Sequence, residues 1–132
     1  MNSVLIYYTA HKTGYCETAL KSVISPMGIN IYNIIAAVSP SHLGESINNS
    51  LNECSTVFII GDINRKDKSG LMPVLSCGLC NNNVNSSRLQ AENSKGYLLE
   101  LNEKKLIVLP DEPDKIGSLV TARLIDYLKM RK

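Results

Sequence analysis

Tryptophan is absent from this 132-residue chain and phenylalanine occurs once, so stacking platforms for nucleobases are scarce, although six tyrosines remain. Charge of one sign is lacking too. Fourteen basic and twelve acidic residues leave a net +2 and are mixed along the chain, which excludes the basic footprint of a nucleic-acid or membrane-surface binder. No apolar run approaches the roughly 20 residues of a membrane-spanning helix. The opening Met1-Asn2-Ser3-Val4 leads into a strand rather than a signal peptide. The expectation is a soluble cytoplasmic protein with no nucleic-acid or membrane partner.

A cysteine framework is missing as well. Of the four cysteines, Cys16 and Cys54 fall among apolar residues of predicted helices, where a reduced thiol acts as a small hydrophobe. Cys77-Gly78-Leu79-Cys80 is a single C-x-x-C without the second pair that a zinc site of its own would need. It also falls near the end of a predicted helix, not at the helix N-terminus that stabilises a redox thiolate. The reading for all four is unpaired thiols, and no metal site is assigned to them.

What the chain does have is alternation. Val4-Leu5-Ile6-Tyr7-Tyr8 reads as a strand, and a helix follows that buries Cys16, Ala19, Leu20, Val23 and Ile24 before Pro26 and Gly28 stop it. Ile29 to Val38 is a second strand. A second helix, from near Ser41, sets Leu43, Ile47, Leu51 and Cys54 on one face. Thr56 to Ile60 is a third strand, ending at Gly61. This β-α-β-α-β order predicts a parallel sheet covered by helices. A polar loop and a short helix through Leu71, Val74 and Leu75 come next, and the Asn- and Ser-rich stretch from Cys80 to Ser94 reads as a surface loop or a poorly ordered segment.

Tyr97 to Leu101 and Leu106 to Leu109 are two apolar runs separated by a break too short for a crossover helix, so they are expected to pair as an antiparallel hairpin. The second run reads as a strand buried on both faces. Pro110-Asp111-Glu112-Pro113 forms an acidic turn. One long helix from Asp114, its predicted N-cap, to about Met130 closes the chain and sets Ile116, Leu119, Val120, Arg123, Leu124, Tyr127 and Leu128 on one side. Residues 1–132 read as a single domain, and no internal repeat is seen.

In parallel α/β sheets ligands bind beyond the carboxyl ends of the strands. Three loops meet that condition: residues 9–14, 61–70 and 110–114. The candidate ligand contacts within them are Thr9, Thr13 and Gly14; Gly61, Asp62, Asn64, Lys66, Asp67 and Ser69; and Pro110, Asp111 and Pro113. Ser69 serves equally well as a helix cap. His11 has no nucleophile or metal partner near it in sequence, His42 lies in a first helical turn, and no catalytic group can be named.

Gly96-Tyr97-Leu98-Leu99-Glu100, Lys104-Lys105-Leu106-Ile107-Val108-Leu109 and Pro110-Asp111-Glu112-Pro113 together resemble the Gly-Tyr…Glu-x-x-x-Lys-x-Ile-x-x-Leu-Pro-Gly-Pro-Pro segment of the molybdopterin-binding domain family. The branch is that of MogA, MoaB and the N-terminal domain of CinA-type proteins. Asn85 to Ala91 is similar to the stretch just upstream in that family, Gly61 falls on the first glycine of its Thr-Gly-Gly loop, and Asp67 or a neighbour falls near the acid that ends the loop. The resemblance implies a three-layer α/β/α fold with a mostly parallel sheet plus one antiparallel hairpin strand, a molybdopterin or other small anionic, nucleotide-like ligand, and a homo-oligomer, trimer or dimer.

The departures bear on function. Asp62 replaces the second loop glycine, and Asp111, with Glu112 beside it, replaces the glycine of Pro-Gly-x-Pro. Glycine there lets backbone N–H groups approach an anion, whereas a carboxylate brings a repulsion on the order of several kcal/mol in a partly shielded site. Lys66, Lys68 and Arg65 offset part of it. The first loop also lacks the family's Gly-x-Glu pattern. The expectation is a retained fold with molybdopterin binding and adenylyl transfer weakened or lost, and without an active enzyme. Asp62, Asp67, Asp111, Glu112 and Asp114 also suggest oxygen ligands for Mg²⁺.

Two alternatives stand beside this. A flavodoxin-like protein holding FMN or another phosphate ligand would use Thr9, Thr13 and Gly14 at a helix N-terminus. It would also need a β-α-β crossover where the hairpin is predicted, and an aromatic pair around the flavin. The second alternative is a non-catalytic oligomeric interaction module, with the last helix and the Asn-rich loop as contact surfaces.

Overall fold

β-branched and leucine-rich runs alternate with helices whose apolar stripe is narrow, and this dictates a sheet sandwiched between helical layers. The computed structural model describes residues 2–62, 71, 75, 85–91, 94–101 and 104–129. The elements are β1 (Asn2–Tyr8), α1 (Thr13–Ile24) with a 3₁₀ turn at Ser25–Met27, β2 (Asn30–Ala37), α2 (Pro40–Glu53), β3 (Thr56–Gly61), β4 (Asn85–Ala91), β5 (Ser94–Leu101), β6 (Lys104–Pro110), α3 (Pro113–Leu119) and α4 (Ala122–Lys129). One six-stranded sheet runs β2-β1-β3-β6-β5-β4. The pairs β1–β2, β1–β3 and β3–β6 are parallel, and β5 is antiparallel to both its neighbours. Five strands therefore point one way and β5 points back.

The pleat sorts the core into two layers. Val4, Ile6 and Tyr8 of β1, with Val57 and Ile59 of β3 and Leu106 and Val108 of β6, pack beneath Leu43, Ile47 and Leu51 of α2 and the buried helical residues Leu71 and Leu75. Leu5, Tyr7, Phe58, Ile60, Ile107 and Leu109 face Cys16, Leu20 and Ile24 of α1, Ile116 and Leu119 of α3, and Leu124, Ile125 and Leu128 of α4. Both faces are covered, which explains why β3 and β6 read as unbroken apolar runs. The hairpin is the one expected, with Tyr97 opposite Val108 and Leu99 opposite Leu106. Gly96 enters it where only glycine fits, because a Cβ there would stand 2.6 Å from the Val108 carbonyl oxygen.

Three local expectations are corrected. Residues 85–91, read as loop, form β4. Ser86, Ser87, Arg88 and Gln90 are exposed and Leu89 leans on the core, because an edge strand is held by its backbone ladder to β5 and needs few apolar side chains. The last helix is two. Val120 leaves helical geometry (φ −91°, ψ 85°), and Thr121 Oγ1 accepts a hydrogen bond from the Leu124 N–H (3.2 Å), starting α4 afresh. The break changes the helical phase, so Ile125 is buried and Arg123 is exposed. Finally, Asp114 is not the N-cap. Proline at the first helical position places the cap at Glu112, and Asp114 lies exposed in the first turn.

Candidate functional site

The strand register brings the starts of the three loops together. Tyr8 of β1 pairs with Gly61 of β3, and Gly61 with Pro110 of β6, so Thr9, Asp62 and Asp111 leave the sheet side by side from one row. Close packing at that row requires Gly61, since a Cβ would come within 2.9 Å of the Tyr8 carbonyl oxygen and 3.1 Å of Leu71. Thr9 has φ 48°, a left-handed conformation that a β-branched residue rarely adopts. It is held by its N–H donating to the Ala37 carbonyl (3.2 Å).

The decisive contact joins the first loop to the third. Asp111 Oδ2 accepts from the His11 N–H at 2.7 Å and Oδ1 from the Lys12 N–H at 3.1 Å. Lys12 is the N-cap of α1, which has no side-chain cap of its own and no acid in its first turn. The helix therefore takes its cap from a residue about a hundred positions away in sequence. Two otherwise unpaired donors and the positive end of the helix dipole are satisfied by one carboxylate.

Beneath that carboxylate lie Cys16 and Tyr7. The Cys16 thiol donates to Asp111 Oδ1 (3.6 Å), and the Tyr7 hydroxyl donates to the Thr13 carbonyl (2.8 Å). Burial, then the Asp111 charge and its hydrogen bond, push the Cys16 thiol up to about 12, with Lys12 pulling weakly the other way. Burial also raises Tyr7, reinforced by Glu17, Cys16 and Asp111. A thiol held so far up is not a nucleophile at neutral pH.

Of the predicted site residues, Thr9, Thr13 and Gly14 lie at the start of α1. Thr9 and Gly14 are exposed, Thr13 half-buried, and the Gly14 carbonyl accepts from Thr18 Oγ1 (3.0 Å). Gly61 and Pro110 are buried in the row of strand ends, Asp62 is exposed, and Asp111 and Pro113 are half-buried. Asn64, Lys66, Asp67 and Ser69 lie outside the described residues, as do Arg65, Lys68, Cys77 and Cys80. Residue patterns alone missed the backbone of His11 and Lys12 and the thiol of Cys16. The available signal was the bare helix start at Lys12-Thr13-Gly14, which has no acidic residue to answer its dipole. His42 is exposed, and its N–H donates to Ser39 Oγ at the N-cap of α2. Among the described residues no three His, Cys, Asp or Glu side chains stand together as metal ligands.

The residues that carry the sequence resemblance have structural work. Glu100 Oε1 accepts from the Tyr127 hydroxyl (2.6 Å), which raises the Tyr127 pKa first through that bond. Lys105 lies 5.6 Å over the Tyr127 ring. Lys104 Nζ donates to the Leu51 carbonyl in the last turn of α2.

This fold has solved counterparts. The chain is similar to the CinA protein, described as of unknown function, from Thermoplasma acidophilum, with a TM-score of 0.74, 11% identity, and coverage of 95% of this chain and 96% of that one. It is also similar to the molybdopterin biosynthesis MoeA protein from Pyrococcus horikosii, with a TM-score of 0.58 and 14% identity over 96% of this chain and 35% of that one. The fold is shared with both. No family model and no curated protein matches the sequence. The flavodoxin alternative needs a crossover where β5 and β6 form a tight hairpin. No helix among the described residues is long and apolar enough to cross a membrane.

Proposed function

We propose that this protein is a MoaB/CinA-like domain that does not hold the anionic cofactor of the molybdopterin-binding proteins and carries out no adenylyl transfer. One observation carries the reading: the Asp111 carboxylate already stands at the entry to α1, the natural anion site of the first loop, and holds the His11 and Lys12 N–H groups there. A phosphate arriving there meets a like charge and finds the His11 and Lys12 N–H groups already taken. Molybdopterin, with its phosphate, does not fit these residues. The Cys16 thiol, pushed up to about 12, offers no nucleophile in its place. The fold likeness to CinA and MoeA supports the lineage of the domain, and the acid at position 111 accounts for its loss of ligand.

Isothermal titration of the wild type with molybdopterin, AMP and inorganic phosphate tests this. The expected result is no saturable binding into the millimolar range. Asp111→Gly, which frees the His11 and Lys12 N–H groups, is expected to gain at least about tenfold in phosphate affinity, about 1.4 kcal/mol. Micromolar binding of any of the three by the wild type overturns the proposal.

A further inference from the structure

We propose that residues 9–12 form a latch with two backbone states. In the closed state, the one in this structure, Asp111 holds the His11 and Lys12 N–H groups against the strain of a left-handed Thr9. In the open state Thr9 relaxes to an extended conformation and those two N–H groups turn to solvent. Thr9 is the one non-glycine residue with a positive φ among the described residues. A left-handed turn is disfavoured for any side chain and most for a β-branched one, because Cβ crowds the carbonyl oxygen that follows. Where the fold needs the same turn after the 3₁₀ helix it has Gly28, with φ 89°. At position 9 nothing in the side chain offsets the cost. Thr9 is exposed, so burial does not reward the turn.

The strain persists because both sides of the turn are held from outside. The Thr9 N–H, bonded to the Ala37 carbonyl, fixes the peptide plane that enters the rotation. Beyond it, Ala10 leans on the core and Asp111 takes the next two N–H groups, at 2.7 and 3.1 Å. The far end is anchored without the loop: α1 buries Cys16, Leu20 and Ile24, and the Tyr7 hydroxyl holds the Thr13 carbonyl. Opening therefore leaves β1 and α1 in place and is confined to the residues between them. His11 and Lys12 are exposed, so water can replace the carboxylate at their N–H groups and no unpaired donor is buried. One strained residue stands against two hydrogen bonds to a charged acceptor, opposing contributions of similar size. Such a balance makes a two-state element, and Asp111 sets its position. The inference is independent of the ligand reading, because Thr9 can be left-handed or extended whether or not phosphate binds.

Nuclear magnetic resonance and hydrogen exchange on the wild type, Thr9→Gly, Thr9→Val and Asp111→Ala test it. In the wild type, Thr9 is expected to show the strong intraresidue cross-peak between amide and Hα protons that marks a positive φ. Thr9→Gly relieves the strain of the closed state and is expected to slow exchange at the His11 and Lys12 amides at least about fivefold. Thr9→Val keeps the β-branch without the hydroxyl and is expected to leave that exchange within about twofold of wild type. In Asp111→Ala the Thr9 cross-peak is expected to fall to the level of an extended residue, while the Leu20 and Ile24 amides keep their protection. A carboxylate that only caps the helix would leave Thr9 left-handed after its removal. Circular dichroism establishes that each variant is folded; should Asp111→Ala fail to fold, the two Thr9 variants decide alone. A Thr9 that stays left-handed in folded Asp111→Ala, a wild-type Thr9 without the cross-peak, or a Thr9→Gly that leaves His11 and Lys12 exchange unchanged overturns the proposal.

Discussion

Asp111 holds two roles that a sequence shows only as one acid in a turn. Both its oxygens hold backbone N–H groups at the entry to α1, and its charge adds to burial in raising the proton affinity of the thiol below it. A cap of this kind contributes about 1–2 kcal/mol. The thiol gives the contact a pH signature. The unfolded chain releases the Cys16 proton near the ordinary 9.0, whereas the folded protein keeps it up to about 12. The folded state therefore binds more protons across that window. The stabilisation is complete below about pH 9 and lost as pH rises through the folded value. Urea denaturation of wild type and Asp111→Asn at about pH 8 and about pH 10 checks this. The variant is expected to be less stable at the lower pH and to lose less on going to the higher one, since without the neighbouring charge the thiol titrates closer to its unfolded value. An equal alkaline loss in the two proteins would separate Cys16 from Asp111. That Asp111 would meet the first loop was legible from the order of strands. That it would hold two backbone N–H groups was not, because backbone donors have no letter in a sequence.

Elements were legible where side-chain pattern and backbone demand coincide. β1, β3, β6 and α2 bury what their periodicity says they bury, and the β5–β6 hairpin follows from a break too short to cross the sheet. Two of the three failures share a cause. β4 is held by hydrogen bonds to β5, so its polar composition is compatible with a strand but does not announce one. The α3–α4 break turns on a single hydroxyl: the apolar spacing runs on through Val120 while Thr121 captures the Leu124 N–H. Thr121→Ala is accordingly expected to destabilise the protein by about 1 kcal/mol, the ordinary value of such a cap. Thr121→Ser, which keeps the oxygen, is expected to cost only a few tenths of that. Chemical denaturation of the three proteins distinguishes a capped two-helix end from a continuous helix, in which alanine would be the better residue.

At the scale of the whole molecule the arrangement separates a rigid centre from lightly held margins. β3 is buried along its whole length between β1 and β6, and α2 covers one face while α1, α3 and α4 cover the other. β4 has a single neighbour and exposed side chains, and β2 has a single neighbour and half its residues in solvent. Opening β4 uncovers Leu89 and a backbone ladder. Opening β3 or β6 uncovers both core layers at once, which amounts to global unfolding. Native-state hydrogen exchange is therefore expected to rank the ladder amides of Val57 to Ile60 and Leu106 to Leu109 slowest. Those of β4 are expected to be faster by on the order of a thousandfold or more, through local opening. The denaturant dependence gives the mechanism. Exchange in β3 and β6 should follow the full unfolding slope, and exchange in β4 should be nearly independent of denaturant until global unfolding overtakes it. Equal protection across the sheet would mean that β4 opens only with the core, and that the strand which composition disguised as a loop is as integral to the fold as β3.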